Sequence, residues 1–197
     1  PIDIQGMIID NRNQKKFNPP CINVNTNQLS IDVKNTLNLF RNANRPVLLV
    51  GNGVRLSGAV HIFHKLVDKI NVPVLTSRRG ADIVPNNHKL YFGRPGSYGQ
   101  RAANFIIQNS DLLLSIGARL SIPQIGRNYK YFARNAKKII VDIDALELQK
   151  KTVSADIAIN EDAKIFIEAL LNEIIKENFP DYNKWLAQCK IWEMDFS

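Results

Sequence analysis

The stretch PVLLVGNGVRLSGAV, residues 46–60, decides what kind of fold to expect. Its first five residues are apolar without interruption, the pattern of a strand buried on both faces. Gly51 and Gly53, one residue apart, then turn the chain, and the remainder reads as a helix. Strand, glycine turn and helix form the repeating unit of a parallel α/β sheet. The turn poses a question: its glycines either let the backbone approach a nucleotide phosphate or only make a tight corner.

Neighbouring segments continue the alternation. Before the strand, SIDVKNTLNLFRNA places Ile31, Val33, Leu37, Leu39 and Phe40 at mostly helical spacing, with Ser30 available as an N-cap. After it, SGAVHIFHKLVDKI (57–70) is a helix with Val60, Phe63, His64, Val67 and Ile70 on one face, and PVLT (73–76) is a second strand. An irregular stretch follows, then a helix in QRAANFIIQNS and a third strand in DLLLSIG (111–117). The segment SIPQIGRNYKYFARNA is loop with a short helix. KKIIVDID (137–144) and DIAIN (156–160) are further strands, and DAKIFIEALLNEIIKE (162–177) is an amphipathic helix. The expected fold class is α/β: a Rossmann-like, doubly wound, mainly parallel sheet of about six strands with helices on both faces. Ligands of such sheets gather beyond the carboxyl ends of the strands, where the winding reverses. The informative loops are therefore GNGVRLSG, TSRRGADIVPNN, GARLSIPQIG and DIDALEL.

The 197 residues, 45% hydrophobic and 22% charged, suit one domain with flanking arms. No apolar run reaches the roughly eighteen residues of a membrane span, and the amino end lacks the plan of a secretory signal, so a cytoplasmic protein without membrane contact is expected. GMIIDNRNQKKFNPPCINVNTNQ, Asn-rich with a Pro-Pro pair, reads as an extended linker. The chain opens on a proline without an initiator methionine, as a piece beginning inside a longer protein would. Cys21 and Cys189 have no CxxC spacing and no histidine cluster, so neither zinc nor a disulfide is indicated. His61 and His64 lie three apart without a third ligand, and no metal site is expected.

The charge is unevenly placed. Residues 78–151 hold 13 Lys or Arg against 5 Asp or Glu, while the last 46 residues are net −5. Within the basic segment Tyr91, Phe92, Tyr98, Tyr129, Tyr131 and Phe132 interleave with cations, as a nucleic-acid surface would require. The strands in the same segment are needed for the core, which scatters those charges among loops, so no nucleic-acid partner is expected.

Read as a dinucleotide fingerprint, Gly51 and Gly53 fill the first two places, but the third is Leu56. The second strand ends in Thr76-Ser77-Arg78-Arg79, without the acid that would hold a ribose. An adenine-nucleotide pocket of another kind has its parts: Gly117-Ala118-Arg119 is a second glycine turn with a cation, and Asp142 and Asp144 end the fourth strand. The same residues are equally accounted for if the glycines serve turns and Asp144 caps ALELQKK. No GxSxG, GxxxxGK[ST] or HExxH pattern is present, and no catalytic residue is assigned.

In their order, PIDIQ, RPVLLVGNGV, PVLTSRRGADIVP, GSYGQRAANFIIQNSDLLLSIGARL, KKIIVDIDALEL and ADIAINEDAKIFIEALL resemble the central domain of thiamine diphosphate dependent enzymes of the acetohydroxyacid (acetolactate) synthase kind. The resemblance spans about residues 45–171 and is most specific in QNSDLLLSIGAR followed by IIVDID. It implies a parent with three domains, an enzyme that makes or breaks a carbon–carbon bond of a 2-keto acid or related carbonyl, and a homodimer or homotetramer. An amino-terminal pyrimidine-binding domain would end in PIDIQ and supply the activating glutamate. A carboxy-terminal domain would hold magnesium and the cofactor diphosphate on a GDG motif. This chain has no GDG, so thiamine diphosphate and magnesium would bind outside it, and it would be inactive alone. Residues 1–29 would then be the end of the pyrimidine domain plus a linker, 30–177 the central domain, and 178–197 a linker to the diphosphate domain.

Central domains of this family hold FAD, ADP or no nucleotide. Carried over from the family's pattern, the FAD-type contacts fall on Gly51, Gly53, Thr76, Gly117, Arg119, Asp142, Asp162 and Ala163. Two departures, Ser121-Ile122-Pro123 in place of an acidic-acidic-Arg run and Gly96-Ser97-Tyr98-Gly99 in place of a GMHG turn, remove polar contacts to a flavin and leave an adenine nucleotide the better fit. The alternative is a stand-alone adenine-nucleotide-binding regulatory module.

Overall fold

The computed structural model describes residues 5–8, 10, 12, 15, 16, 18, 26–176 and 179–196. Most of PIDIQ, and Cys21, lie outside them. Five strands form one parallel sheet: β1 (Pro46–Val50), β2 (Val74–Thr76), β3 (Leu112–Ile116), β4 (Lys137–Asp142) and β5 (Ile157–Asn160), in the order β2-β1-β3-β4-β5. The expectation of about six strands is nearly met. Leu90–Gly93 runs beside β2, where Phe92 N–H donates to Val74 O and Thr76 N–H to Gly93 O, each at 3.0 Å. It joins the sheet by a single bridge, Val74 to Tyr91, and covers an edge that would otherwise leave backbone groups unpaired.

Alternation along the strands builds two cores. On one face Leu48, Val50, Leu114, Ile116, Ile139 and Val141 pack with helices α1 (Thr26–Asn42), α3 (Val60–Ile70) and α7 (Ala163–Ile174). Val33, Leu37 and Phe40 are the buried seam of α1; Phe63, Leu66, Val67 and Ile70 that of α3; Phe166, Ile167, Leu170 and Ile174 that of α7. On the other face Val47, Leu49, Leu113 and Ile140 meet helix α4 (Arg101–Asn109) and helix α8 (Asn183–Phe196).

The structure differs from the reading at three places. Helix α1 already runs at Thr26, so Ser30 lies inside it and caps nothing. The helix expected over 57–70 starts only at Val60, as α3, and a separate short helix α2 (Gly53–Leu56) precedes it, with Gly58 at a left-handed φ of 71° between them. Residues 183–196, within the stretch assigned to a linker, form α8. Trp185 and Cys189 are buried, and Trp185 Nε1 donates to Pro46 O at 3.0 Å. Burial pushes the Cys189 thiol well above its usual range, which keeps it unreactive.

The strand order reverses direction between β1 and β3: β2 lies on one side of β1, and everything after β3 extends on the other. The turns after β1 and β3 therefore sit side by side at the carboxyl edge, at the position where such folds open a crevice.

Candidate functional site

The two glycine turns are locked together. Gly51 N–H donates to Ile116 O at 2.9 Å, Gly53 N–H to Gly117 O at 3.0 Å, and Gly117 N–H to Val141 O at 2.9 Å. These bonds continue the sheet ladder past the strand ends. Gly51 is buried beneath Gly117 and Ala118. The amides of Gly51 and Gly53 are thus taken up by the fold, and an anion in the crevice meets side-chain cations before it meets these N–H groups.

Beyond Gly117 the chain stays in unusual conformations: Arg119 and Leu120 have φ of 58° and 44°, and Leu120 N–H donates back to Ala118 O at 2.7 Å. A three-residue turn of this sense is strained and persists only where its surroundings impose it. The imposing groups come from the segment after β4. Lys150 donates its ammonium to Arg119 O and pairs with Glu147, and Glu147 Oε1 lies 3.1 Å from Arg119 Nε. Helix α6 (Ala145–Leu148) carries Glu147 and is started by Asp144, whose carboxylate accepts from Leu146 N–H at 2.9 Å.

A cleft of about 1650 Å³ opens over these turns. One wall is acidic: Asp142, Asp144, Glu147, Glu161 and Asp162 line it from the ends of β4 and β5. Burial pushes the Asp142 carboxyl above its ordinary value; the carboxylates of Glu147 and Asp144 add to this, against a hydrogen bond from Asp144 N–H. Asp162 caps α7, accepting from Lys164 N–H at 2.8 Å and Ile165 N–H at 3.3 Å. The opposite wall carries Arg78, Arg79 and Arg94. The floor between them includes Gly53, Gly117 and Gln124 of the short helix α5 (Ile122–Ile125), and Gln124 Nε2 donates to Pro95 O at 2.8 Å.

Of the eight residues assigned by resemblance, Gly53, Gly117, Arg119, Asp142, Asp162 and Ala163 line this cleft. Gly51 and Thr76 lie beneath it. Thr76 is fully buried, with its hydroxyl 3.1 Å from Tyr91 OH. Arg119 points to Glu147, with its Nε 3.1 Å from Glu147 Oε1. The reading missed Arg94, Glu147, Lys150 and Gln124. The i,i+3 spacing of Glu147 and Lys150 was the available signal for that pair, and nothing local marks Arg94 or Gln124. Tyr91, Phe92 and Phe132, three of the six aromatics weighed for nucleic acid, are buried in the cores. Among the described residues no group of three or more His, Cys, Asp or Glu side chains could hold a metal ion, and no helix is long and apolar enough to cross a membrane.

Fold and cleft together define an α/β domain of the doubly wound class, with a crevice at the strand-order reversal. The family described as "Thiamine pyrophosphate enzyme, central domain" matches residues 33–170, and the chain belongs to that family. It is 41% identical over 145 residues to a probable acetolactate synthase large subunit of Methanococcus aeolicus, covering 74% of this chain and 23% of that protein. It is 36% identical over 164 residues to the probable large subunit of Methanocaldococcus jannaschii, covering 83% and 27%. Against the acetolactate synthase large subunit of Lactococcus lactis it is 29% identical over 186 residues, 94% of this chain and 32% of that one. The chain thus spans a quarter to a third of the length of these relatives.

Proposed function

We propose that this chain is the central domain of a thiamine diphosphate dependent enzyme that acts, as acetolactate synthase does, on a 2-keto acid, and that its cleft holds an adenine nucleotide, as ADP or as the ADP half of FAD. The observation that carries the reading is the coincidence of the family match with a cleft of opposed charge at the strand-order reversal. Carboxylates accept hydrogen bonds from ribose hydroxyls, and guanidiniums match phosphate oxygens. The cleft volume is ample for a nucleotide.

In such a parent, thiamine diphosphate with magnesium supplies the carbonyl chemistry from the other two domains. This chain contributes the scaffold, with residues 30–177 as the domain and helix α8 packed against its second face, the two ends leading to a pyrimidine-binding and a diphosphate-binding domain. The parent is a cytoplasmic homodimer or homotetramer in this reading. In this reading Gly53, Gly117, Asp142, Asp162 and Ala163, which line the cleft, contact the nucleotide, and Gly51 and Thr76 shape the floor from below.

Calorimetric titration of the chain with ADP, FAD and NAD tests the nucleotide. ADP or FAD binding in preference to NAD is expected, and absence of heat and of a thermal shift with all three would leave an empty scaffold. For the parent, the full gene product should turn over pyruvate only with thiamine diphosphate and magnesium present. Nucleotide binding by a gene product without such turnover would favour the regulatory module.

A further inference from the structure

We infer that Arg78, Arg79 and Arg94 form the anion subsite of the cleft and hold the phosphate chain of a nucleoside polyphosphate, with the ribose toward Asp142 on the opposite wall. This rests on the nucleotide reading above and specifies its orientation and charge. Five cations line the cleft: Arg78, Arg79, Arg94, Arg119 and Lys150. Arg119 and Lys150 are both paired with Glu147. For Arg78, Arg79 and Arg94 there is no carboxylate partner within ion-pair distance among the described residues.

The backbones that present these three are held firmly. Ser77 N–H donates to Val50 O at 2.8 Å, which ties the turn Arg78–Gly80 to the end of β1. Gly80 lies so close to β1 that a Cβ there would come within 3.2 Å of Val50 O. Arg55, itself paired with Asp82, donates to Arg79 O at 3.3 Å and braces the turn from the α2 side. Arg94 is half-buried, and its loop is closed by Gln100, whose side-chain Oε1 accepts from Arg94 N–H at 2.8 Å while its backbone N–H donates to Arg94 O at 2.9 Å. Three cations carried on fixed backbone along one wall, facing carboxylates on the other, select a ligand with its negative charge at one end and its hydroxyls at the other. A nucleoside di- or triphosphate has that distribution.

The orientation follows from electrostatics alone. Phosphates beside Asp142, Glu161 and Asp162 would meet like charge, whereas beside the three guanidiniums they gain charge-assisted, partly bidentate hydrogen bonds.

Isothermal titration of the 197-residue chain with ADP, adenosine and inorganic pyrophosphate tests this, using wild type, Arg79→Ala, the Arg78→Ala/Arg79→Ala pair, and Arg134→Ala as a control that removes one exposed charge away from the cleft. Arg78 and Arg79 are exposed, so their truncation leaves the fold intact, which circular dichroism checks. ADP should bind at least about tenfold more tightly than adenosine, and each arginine removed should weaken ADP about tenfold, the scale of a hydrogen bond to a charged group, without affecting adenosine. Pyrophosphate should compete with ADP, and Arg134→Ala should match wild type. Equal affinity for ADP and adenosine, or unchanged ADP affinity in the paired variant, overturns the anion subsite while the nucleotide reading stands. Arginine-dependent binding of pyrophosphate with ADP no tighter upholds the subsite and overturns the nucleotide reading. No binding of either overturns both.

Discussion

Gly53 and Gly117 face each other backbone to backbone: a Cβ on either would come within 2.7 Å of the other's Cα, and Gly53 N–H donates to Gly117 O at 3.0 Å. The second glycine of the GNG turn is therefore needed for the approach of two loops across the strand-order reversal. The corner and the cleft have one cause, since packing the turns after β1 and β3 against each other makes the cleft floor.

This contact predicts a graded response to alanine. Gly58 has a φ of +71° with open space around it, so Gly58→Ala adds conformational strain alone, about 1–2 kcal/mol. Gly53→Ala drives a methyl into backbone that cannot rotate away, at the upper end of the ~1–3 kcal/mol typical of overpacking. Gly117→Ala combines both effects, with a φ of +56°, and should be the most destabilising of the three. Urea unfolding of the three variants gives the ranking directly.

The Glu147 cluster should show unequal couplings. Glu147 and Lys150 side chains are 15% and 27% exposed, whereas Arg119 is 75% exposed. Double-mutant cycles should give about 1–2 kcal/mol for Glu147 with Lys150, between the values of exposed and buried pairs, and under ~1 kcal/mol for Glu147 with Arg119. Equal couplings would show that the strained Arg119 turn is held by its own side chain, not by Lys150 on its carbonyl.

Asp142 makes a prediction in pH. Burial raises its carboxyl above the unfolded value of 3.8, so the folded state holds the proton more tightly and ionisation opposes folding. Its contribution is most favourable below the unfolded pKa and is lost as pH rises through the folded one. Asp142→Asn keeps the oxygen that accepts from Asp144 N–H and should therefore be more stable than wild type at pH 7. The difference should disappear near pH 3. Chemical denaturation at the two pH values measures it, and a destabilised Asn variant at pH 7 would contradict the assignment.

Much of this was legible in the residues themselves. Strands β1, β2 and β3 are short, nearly continuous apolar runs, and β1, β3 and β4 begin and end within two residues of the expected places, because strand segments buried on both faces have few polar positions to blur them. Helix α8 was not read, although Trp185, Cys189 and Trp192 lie at i, i+4 and i+7, a helical seam blurred by the apolar Leu186, Ala187 and Ile191 between them. The cleft was half legible. Glycines and capping aspartates announce themselves through backbone chemistry, but the pairing of Arg119 with Glu147 and the convergence of Arg94 with Arg78 and Arg79 depend on loops brought together by the sheet.

Helix α8 should contribute to stability well beyond what a linker would. Trp185→Phe retains most of the ring and loses the bond to Pro46 O, at about 1 kcal/mol, while Trp185→Ala opens a cavity in the second core, at about 3–5 kcal/mol. In a Cys21→Ser background, the buried Cys189 thiol should resist a thiol reagent in wild type and react faster in Trp185→Ala. Equal reactivity in the two would show that α8 does not depend on this anchor.

Hydrogen–deuterium exchange of the chain with and without saturating ADP tests most directly the proposal that the cleft holds a nucleotide. Protection is predicted in the backbone of residues 77–80, 117–125 and 141–150, the segments that wall the cleft, with residues 60–70 unchanged. Bound ADP that left those segments unprotected, or that protected only the region around α8, would contradict it.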